Sequence, residues 1–84
     1  MSYSINFTKQ AIKNLGKIKE PYYSKLKTAI INLSENPRPN ACKKLKGRDA
    51  YRIEVVNYRI IYEIIDKELI IDVIDVGHRK DIYE

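Results

Sequence analysis

The feature that most constrains the fold is the segment YRIEVVNYRIIYEII, residues 51–65. In each half, hydrophobic residues recur at every second position, which is typical of a strand with one buried face. Val56 and Asn57 interrupt this alternation, and asparagine readily adopts the positive φ that tight hairpin turns require. The segment therefore predicts two antiparallel strands joined at Val56 and Asn57, with the positive φ at Asn57.

A two-residue turn also decides which residues of the hairpin lie opposite each other. Val55 then pairs with Tyr58 and Glu54 with Arg59. A shift of the pairing by one residue would turn the hydrophobic side chains of the hairpin toward solvent. The face predicted to pack under helices carries Tyr51, Ile53, Val55, Tyr58, Ile60, Tyr62 and Ile64. The other face, which we call the reverse face, carries Arg52, Glu54, Arg59, Ile61 and Glu63. Function is expected on the reverse face, because the helices leave it open.

Two amphipathic helices are predicted between the first strand and the hairpin. Thr8 is suited to cap the first helix and Pro21 to begin the second, with a connection of about two to four residues between them. Hydrophobic residues at helical spacing form two stripes, at Ala11, Ile12, Leu15 and Ile18 and at Tyr22, Leu26, Ala29, Ile30 and Leu33. Asn36 and Pro37 end the second helix.

Three more segments are predicted to form strands around the hairpin. Residues 2–7 alternate, residues 41–46 form a short edge segment, and residues 68–76 are a β-branched run typical of a central strand. The order β-α-α-β-β-β, which does not count the short edge segment, predicts an α+β fold with the helical hairpin on one face of a mainly antiparallel sheet. We expect a single domain over residues 1–84.

Composition narrows the class of partner and of chemistry. Lys and Arg number 16 and Asp and Glu 11, so the net charge of 16 − 11 = +5 suits nucleic acid or an acidic protein. We expect a cytoplasmic protein without membrane contact, because no signal peptide begins the chain and no apolar run approaches the roughly 20 residues that span a bilayer. One cysteine, Cys42, and one histidine predict no disulfide, no metal site and no cofactor.

Seven cationic side chains lie on or near the predicted reverse face. They are Arg52, Arg59, Arg79, Lys43, Lys44, Lys46 and Arg48. One interpretation is a surface that binds phosphate groups, because arginine forks match phosphate oxygens bidentately. The other is a solvated sheet face that keeps a small protein soluble, and composition alone favours this second interpretation.

The stretch VGHRKDIYE, residues 76–84, combines the only histidine with cations and a tyrosine. Neighbouring cations favour a neutral His78, which can accept a proton, although a strand-end histidine without a role is the simpler interpretation. Tyr83 is the candidate for base stacking or proton transfer, because the hairpin tyrosines fall on the core face. Truncation after Val76 is expected to spare the core and remove the chemistry.

Three segments together, KKLKG, YRIEVVNYRIIYEI and VGHRKDIY, resemble the RelE/ParE superfamily of toxins from toxin–antitoxin pairs, and more narrowly its RelE branch. The resemblance implies a ribosome-dependent endoribonuclease that cuts messenger RNA in the ribosomal A site without a metal. The messenger's own 2′-hydroxyl would attack the adjacent phosphate and leave a 2′,3′-cyclic phosphate and a 5′-hydroxyl. The implied partners are a cognate antitoxin protein, the ribosome and messenger RNA.

The resemblance also implies a role for each candidate residue. Arg59 and Arg79 would hold the phosphate and the transition-state charge, and Arg52 would position the messenger backbone. The four other cations would contribute to RNA binding. Tyr83 would stack on a base or transfer a proton, with His78 as the alternative base.

Glu54 departs from the superfamily pattern, since well-studied RelE members carry a basic residue there. One alternative is that Glu54 pairs with Arg59, a contact worth about 0.2–1 kcal/mol, and draws charge away from a phosphate. The other is that Glu54 itself serves as a carboxylate base. Two further functions stay open on the same fold: a ParE-like DNA gyrase inhibitor without nuclease activity, and a catalytically inactive protein that binds RNA or an antitoxin segment.

Overall fold

The computed structural model describes residues 2–82. The elements are β1 (Ser4–Phe7), α1 (Lys9–Leu15), α2 (Tyr22–Glu35), β2 (Lys43–Lys44), β3 (Tyr51–Val55), β4 (Tyr58–Ile65), a short 3-10 turn (Asp66–Glu68) and β5 (Ile70–His78). The five strands form one sheet in the order β1-β5-β4-β3-β2. β1 runs parallel to β5, and the other neighbouring pairs are antiparallel. The predicted α+β fold with a mainly antiparallel sheet is therefore confirmed.

α1 begins at the predicted cap and ends early. The Thr8 hydroxyl accepts a hydrogen bond from the N–H of Ala11 at 3.1 Å and donates one to the carbonyl of Ile74 at 2.6 Å. Thr8 thus caps α1 and attaches it to β5. α1 ends at Leu15, so six residues, rather than two to four, separate it from α2. The side chain of Ile12 is 60% exposed, so the prediction that it belongs to the buried stripe is wrong.

The main core lies between the helices and one face of the sheet. Its buried side chains are Ala11, Leu26, Ile30, Leu33, Ile53, Ile60, Tyr62, Ile71, Val73 and Val76. The partly buried residues of the hairpin that pack against this cluster are Tyr51, Val55, Tyr58 and Ile64. Every residue predicted for the hydrophobic face of the hairpin therefore lies in or against the main core.

Tyr62 is the largest side chain that is completely buried in this core. Its hydroxyl donates a hydrogen bond to the carbonyl of Pro37 at 2.8 Å, which attaches the segment after α2 to β4. Burial raises the pKa of the Tyr62 phenol above its usual range, because the phenolate would be desolvated. The neutral phenol is therefore the form that the fold requires.

The register of the β3–β4 hairpin is as predicted, with Glu54 opposite Arg59. The positive φ, however, belongs to Val56, at 58°, and not to Asn57, so that part of the prediction is wrong. A positive φ at only the first of two turn residues is typical of a type II′ turn, where glycine is preferred. Val56 occupies this position because the paired strands on both sides determine the path of the turn.

The reverse face is partly covered, although it is predicted to be open. A second, smaller cluster lies on it, which we call the tail cluster, and its buried members are Leu45, Ala50, Ile61 and Ile82. β5 also extends to His78, two residues beyond Val76. Truncation after Val76 would therefore remove strand pairing and a buried residue, and the prediction that it spares the core is wrong for this second cluster.

We predict that Tyr62→Phe lowers the free energy of unfolding by about 1–2 kcal/mol, because the Pro37 carbonyl loses its donor while the ring still fills the core. Tyr51→Phe is the matched control: its ring stacks on Tyr62, but its hydroxyl accepts from Arg38 at the exposed surface. Urea unfolding followed by circular dichroism measures both changes. Equal stability of Tyr62→Phe and the wild type would show that the buried bond contributes nothing.

We predict that Val56→Gly raises the free energy of unfolding by roughly 0.5–1 kcal/mol. A β-branched residue with a positive φ carries about 1–2 kcal/mol of backbone strain, which glycine removes. This gain outweighs the conformational entropy that glycine adds to the unfolded state. Little burial is lost, since the Val56 side chain is 51% exposed. Asn57→Gly is the matched control, because Asn57 has no positive φ to relieve. Calorimetric melting compares the three proteins, and a larger gain for Asn57→Gly would contradict the explanation.

Candidate functional site

Two arginines, Arg52 and Arg59, and two glutamates, Glu54 and Glu63, lie on the reverse face of β3 and β4. Arg52 and Glu54 alternate with the core residues of β3, and Arg59 does so in β4. The Nε atom of Arg59 lies 3.3 Å from Oε1 of Glu54, so the predicted cross-strand ion pair is present. These side chains are 23% and 39% exposed, and a pair that reaches solvent contributes at most about 1 kcal/mol. Glu54 is therefore a weak competitor of a phosphate that approaches Arg59.

The edge of the sheet beside Arg52 is strongly basic. β2 places Lys43 directly opposite Arg52. A depression of about 300 Å³ at this edge is lined by Lys43, Lys44, Leu45, Lys46 and Arg52. We call the set Lys43, Lys44, Lys46 and Arg48 the basic edge. The structure brings three of these cations together with Arg52, as the phosphate-binding interpretation requires.

A tight loop carries the remainder of the basic edge. The N–H of Leu45 donates to the carbonyl of Ala50 at 2.9 Å, and Gly47 takes a φ of 73° between them. A positive φ of this kind favours glycine, which has no Cβ to clash with the backbone. Leu45 and Ala50 enter the tail cluster, whereas Lys46 and Arg48 stay exposed. The loop thus combines a buried anchor with cations that face solvent.

The chain after β5 turns back onto the reverse face. The N–H of Arg79 donates to the carbonyl of Asn57 at 2.8 Å, which attaches the tail to the β3–β4 turn. Arg79 is exposed there, and Ile82 then packs into the tail cluster. Tyr83, the other tail residue predicted to act, lies outside the described residues. Sequence patterns do not single out Ile82, because one hydrophobic residue near a chain end shows no periodicity.

His78 does not share the face of Arg59. In the register of β4 and β5, Arg59 lies opposite Gly77, whereas His78 lies opposite Tyr58 of the helix-covered face. The rings of His78 and Tyr58 meet edge-on, with their centres 5.6 Å apart. His78 also lines a cleft of about 460 Å³ between α1 and the end of β5. The structure therefore separates His78 from the reverse-face arginines, and its role as a base stays a prediction.

A β-bulge in β5 explains the position of His78. Between two consecutive pairs with β4, β5 contains one additional residue, Ile74. The additional residue shifts the alternation of the strand, so that Gly77 faces the reverse side and His78 the helix side. In the sequence, one local sign of this bulge is Asp75, a polar residue in a β-branched run. Its carboxylate accepts a hydrogen bond from the Asn14 amide at 2.7 Å.

The functional groups that the reverse face gathers are mainly cationic. Arg52, Arg59 and the basic edge lie on adjoining strands and their loop, and Arg79 lies at the neighbouring turn. Such a surface can bind successive phosphates of a nucleic-acid backbone. Among residues 2–82, no three His, Cys, Asp or Glu side chains are grouped so that they could hold a metal ion. Neither helix in that range has the length and apolar character needed to span a bilayer.

Comparison with known proteins relates this geometry to a family. Residues 5–83 match the family model described as "ParE toxin of type II toxin-antitoxin system, parDE". The chain is 34% identical over 83 residues to the mRNA interferase toxin RelE of Escherichia coli K12. That match covers 95% of this chain and 86% of the relative.

Solved structures have the same fold. The intact E. coli RelBE toxin–antitoxin complex contains a chain 32% identical to this one, with a TM-score of 0.81 and coverage of 92% of this chain and 96% of that chain. The archaeal RelE–RelB complex of Pyrococcus horikoshii gives 26% identity, a TM-score of 0.84 and coverage of 98% and 100%. The sequence match, the shared fold and the α+β topology together show that the chain belongs to the ParE toxin family of the RelE/ParE superfamily and is a RelE-like toxin of a toxin–antitoxin system.

Proposed function

We propose that this toxin is a ribosome-dependent endoribonuclease that cleaves messenger RNA in the ribosomal A site. The observation that carries the proposal is the cationic reverse face, on which Arg52 and Arg59 adjoin the basic edge and the returning tail. The 34% identity to a protein named mRNA interferase toxin RelE supports the same activity. Cleavage within ribosomes and independence of metal ions are parts of the proposal.

The proposed reaction needs three kinds of group around one phosphate. A base removes the proton of the 2′-hydroxyl while its oxygen bonds to phosphorus, and cations stabilise the added negative charge. An acid protonates the 5′ oxygen as its bond to phosphorus breaks, which leaves a 2′,3′-cyclic phosphate and a 5′-hydroxyl. None of these steps requires an oxidant, a reductant or a cofactor.

The residues of the reverse face and the tail divide these roles. We assign charge stabilisation to Arg59 and Arg79, and positioning of the messenger backbone to Arg52 and the basic edge. Tyr83 is assigned to base stacking or proton transfer, because it matches the C-terminal tyrosine of the RelE-like toxins that the chain resembles. His78 is the alternative base, although it faces the cleft beside α1.

A cognate antitoxin is the proposed protein partner. In the E. coli and P. horikoshii structures, the similar chain is in complex with RelB. The net charge of +5 on this chain favours an acidic partner. A partner segment that is disordered alone could fold as it covers the toxin. The ribosome and messenger RNA are the proposed targets of the toxin when the antitoxin is absent.

We predict that Arg79→Ala and Tyr83→Phe each lower the rate of messenger cleavage by roughly 10²–10³-fold, as expected when one charge-stabilising or proton-transferring group is lost. Lys80→Ala is the matched control, since it removes a neighbouring exposed cation that has no assigned role. Purified toxin is added to ribosomes that carry a defined messenger, and primer extension locates cuts within the A-site codon.

A ParE-like gyrase inhibitor is the alternative function, and the name of the matching family model favours it. Expression of the toxin alone distinguishes the two functions. Growth arrest with messengers cut within codons supports the nuclease. Growth arrest with intact messengers and relaxed plasmids or trapped gyrase would establish the alternative and overturn the nuclease proposal.

We predict that Glu54→Gln raises the cleavage rate by up to about fivefold, because it removes a competitor of phosphate for Arg59 that is worth at most about 1 kcal/mol. Glu54→Lys should raise the rate at least as much, since it also adds a cation. Glu63→Gln, which removes the same charge from the neighbouring strand β4, is the control. Loss of cleavage in both Glu54 variants would instead identify this carboxylate as the base.

A further inference from the structure

We propose that the tail cluster positions Arg79 for the chemistry, with Ile82 as the positioning residue and Gly77 as the surface on which it packs. The inference rests on the proposed nuclease function, in which Arg79 stabilises the transition-state charge. It adds two residues that carry no charge and no reactive atom. Their effect is on geometry, and it is transmitted through the backbone.

The burial of Ile82 is the first observation. Ile82 is only 8% exposed, although it lies beyond the last strand and belongs to no helix or strand. Its neighbours in the tail cluster are Leu45, Ala50 and Ile61. An aliphatic side chain enclosed in this way can be displaced only if its hydrophobic surface returns to water. Residues 79–82 therefore have one preferred place on the reverse face.

Gly77 provides the space that Ile82 occupies. A Cβ atom at position 77 would lie 3.0 Å from Cγ1 and 3.1 Å from Cδ1 of Ile82, which is closer than ordinary packing allows. Gly77 is also directly opposite Arg59 in the pairing of β4 and β5. The missing side chain therefore lets Ile82 pack beside the strand position from which Arg59 projects.

Two backbone hydrogen bonds hold the segment between Gly77 and Ile82. The N–H of Arg79 donates to the carbonyl of Asn57 at 2.8 Å, and the N–H of Asp81 donates to the carbonyl of His78 at the same distance. The segment is thus held by β5 at its start and by Ile82 at its end. Arg79 lies within this segment.

The tail cluster also connects the tail to the basic edge. Leu45 and Ala50, which pack with Ile82, begin and end the loop that carries Lys46 and Arg48. One small cluster therefore sets the spacing between cations that would bind the messenger and groups that would act on its phosphate. Reacting groups must be held within about 1 Å, since a displacement of that size can cost about 100-fold in rate.

We predict that Ile82→Ala lowers kcat for ribosome-bound messenger by roughly 10- to 100-fold with little change in KM, because binding cations stay in place while the acting groups lose their alignment. Gly77→Ala should act in the same direction, since its Cβ would displace Ile82. Ile82→Leu should recover most of the rate. Val73→Ala, a truncation in the main core, is the stability-matched control and should leave kcat near the wild-type value.

Amide hydrogen exchange, followed by NMR, measures the position of the tail without any substrate. The N–H of Arg79 should exchange faster in Ile82→Ala and at the wild-type rate in Ile82→Leu. If Ile82→Ala shows faster exchange at Arg79 but keeps the wild-type kcat, the positioning role is overturned while the nuclease function stands. An equal loss of kcat in Val73→Ala would overturn it by assigning the effect to stability. A wild-type protein that leaves every ribosome-bound messenger intact would overturn the proposed nuclease function and this role with it.

Discussion

The structure depends on three consecutive residues of β4 that are all buried. Ile60, Ile61 and Tyr62 are 0%, 4% and 0% exposed, and neighbouring side chains of a strand point to opposite faces of the sheet. Both faces of β4 must therefore be covered. The helices cover Ile60 and Tyr62, and the tail cluster covers Ile61. The loop that bears Lys46 and Arg48 meets residues 79–82 on one face because that face contains Ile61.

The bulge at Ile74 determines which groups share the reverse face. Without the additional residue, the alternation of β5 would place His78 on the same face as Arg59. With the additional residue, Gly77 lies on that face instead, and Ile82 packs in the space that a side chain at position 77 would occupy. The chemistry proposed for this toxin thus draws on Arg59 and Arg79, whereas His78 lines a cleft beside α1 to which Gly77 and Ile82 also contribute.

Membership of the RelE/ParE superfamily does not by itself choose between cleavage of RNA and inhibition of gyrase, because one fold can support different sites. The reverse face bears on that choice more directly. Its cations adjoin one another, while Glu54 pairs with Arg59 and reduces the charge offered to a phosphate. This carboxylate is therefore expected to moderate the activity of the site without changing the fold.

The sequence by itself determined the hairpin register, the cap at Thr8 and the face that carries Arg52 and Arg59, because alternation and capping act between residues close in the chain. Only the tertiary structure decided the side taken by His78, the positive φ in the turn and the burial of Ile82. Each of these depends on contacts between segments far apart in sequence. A bulge follows from how two strands fit together, and a lone isoleucine is buried only where other segments provide a surface for it.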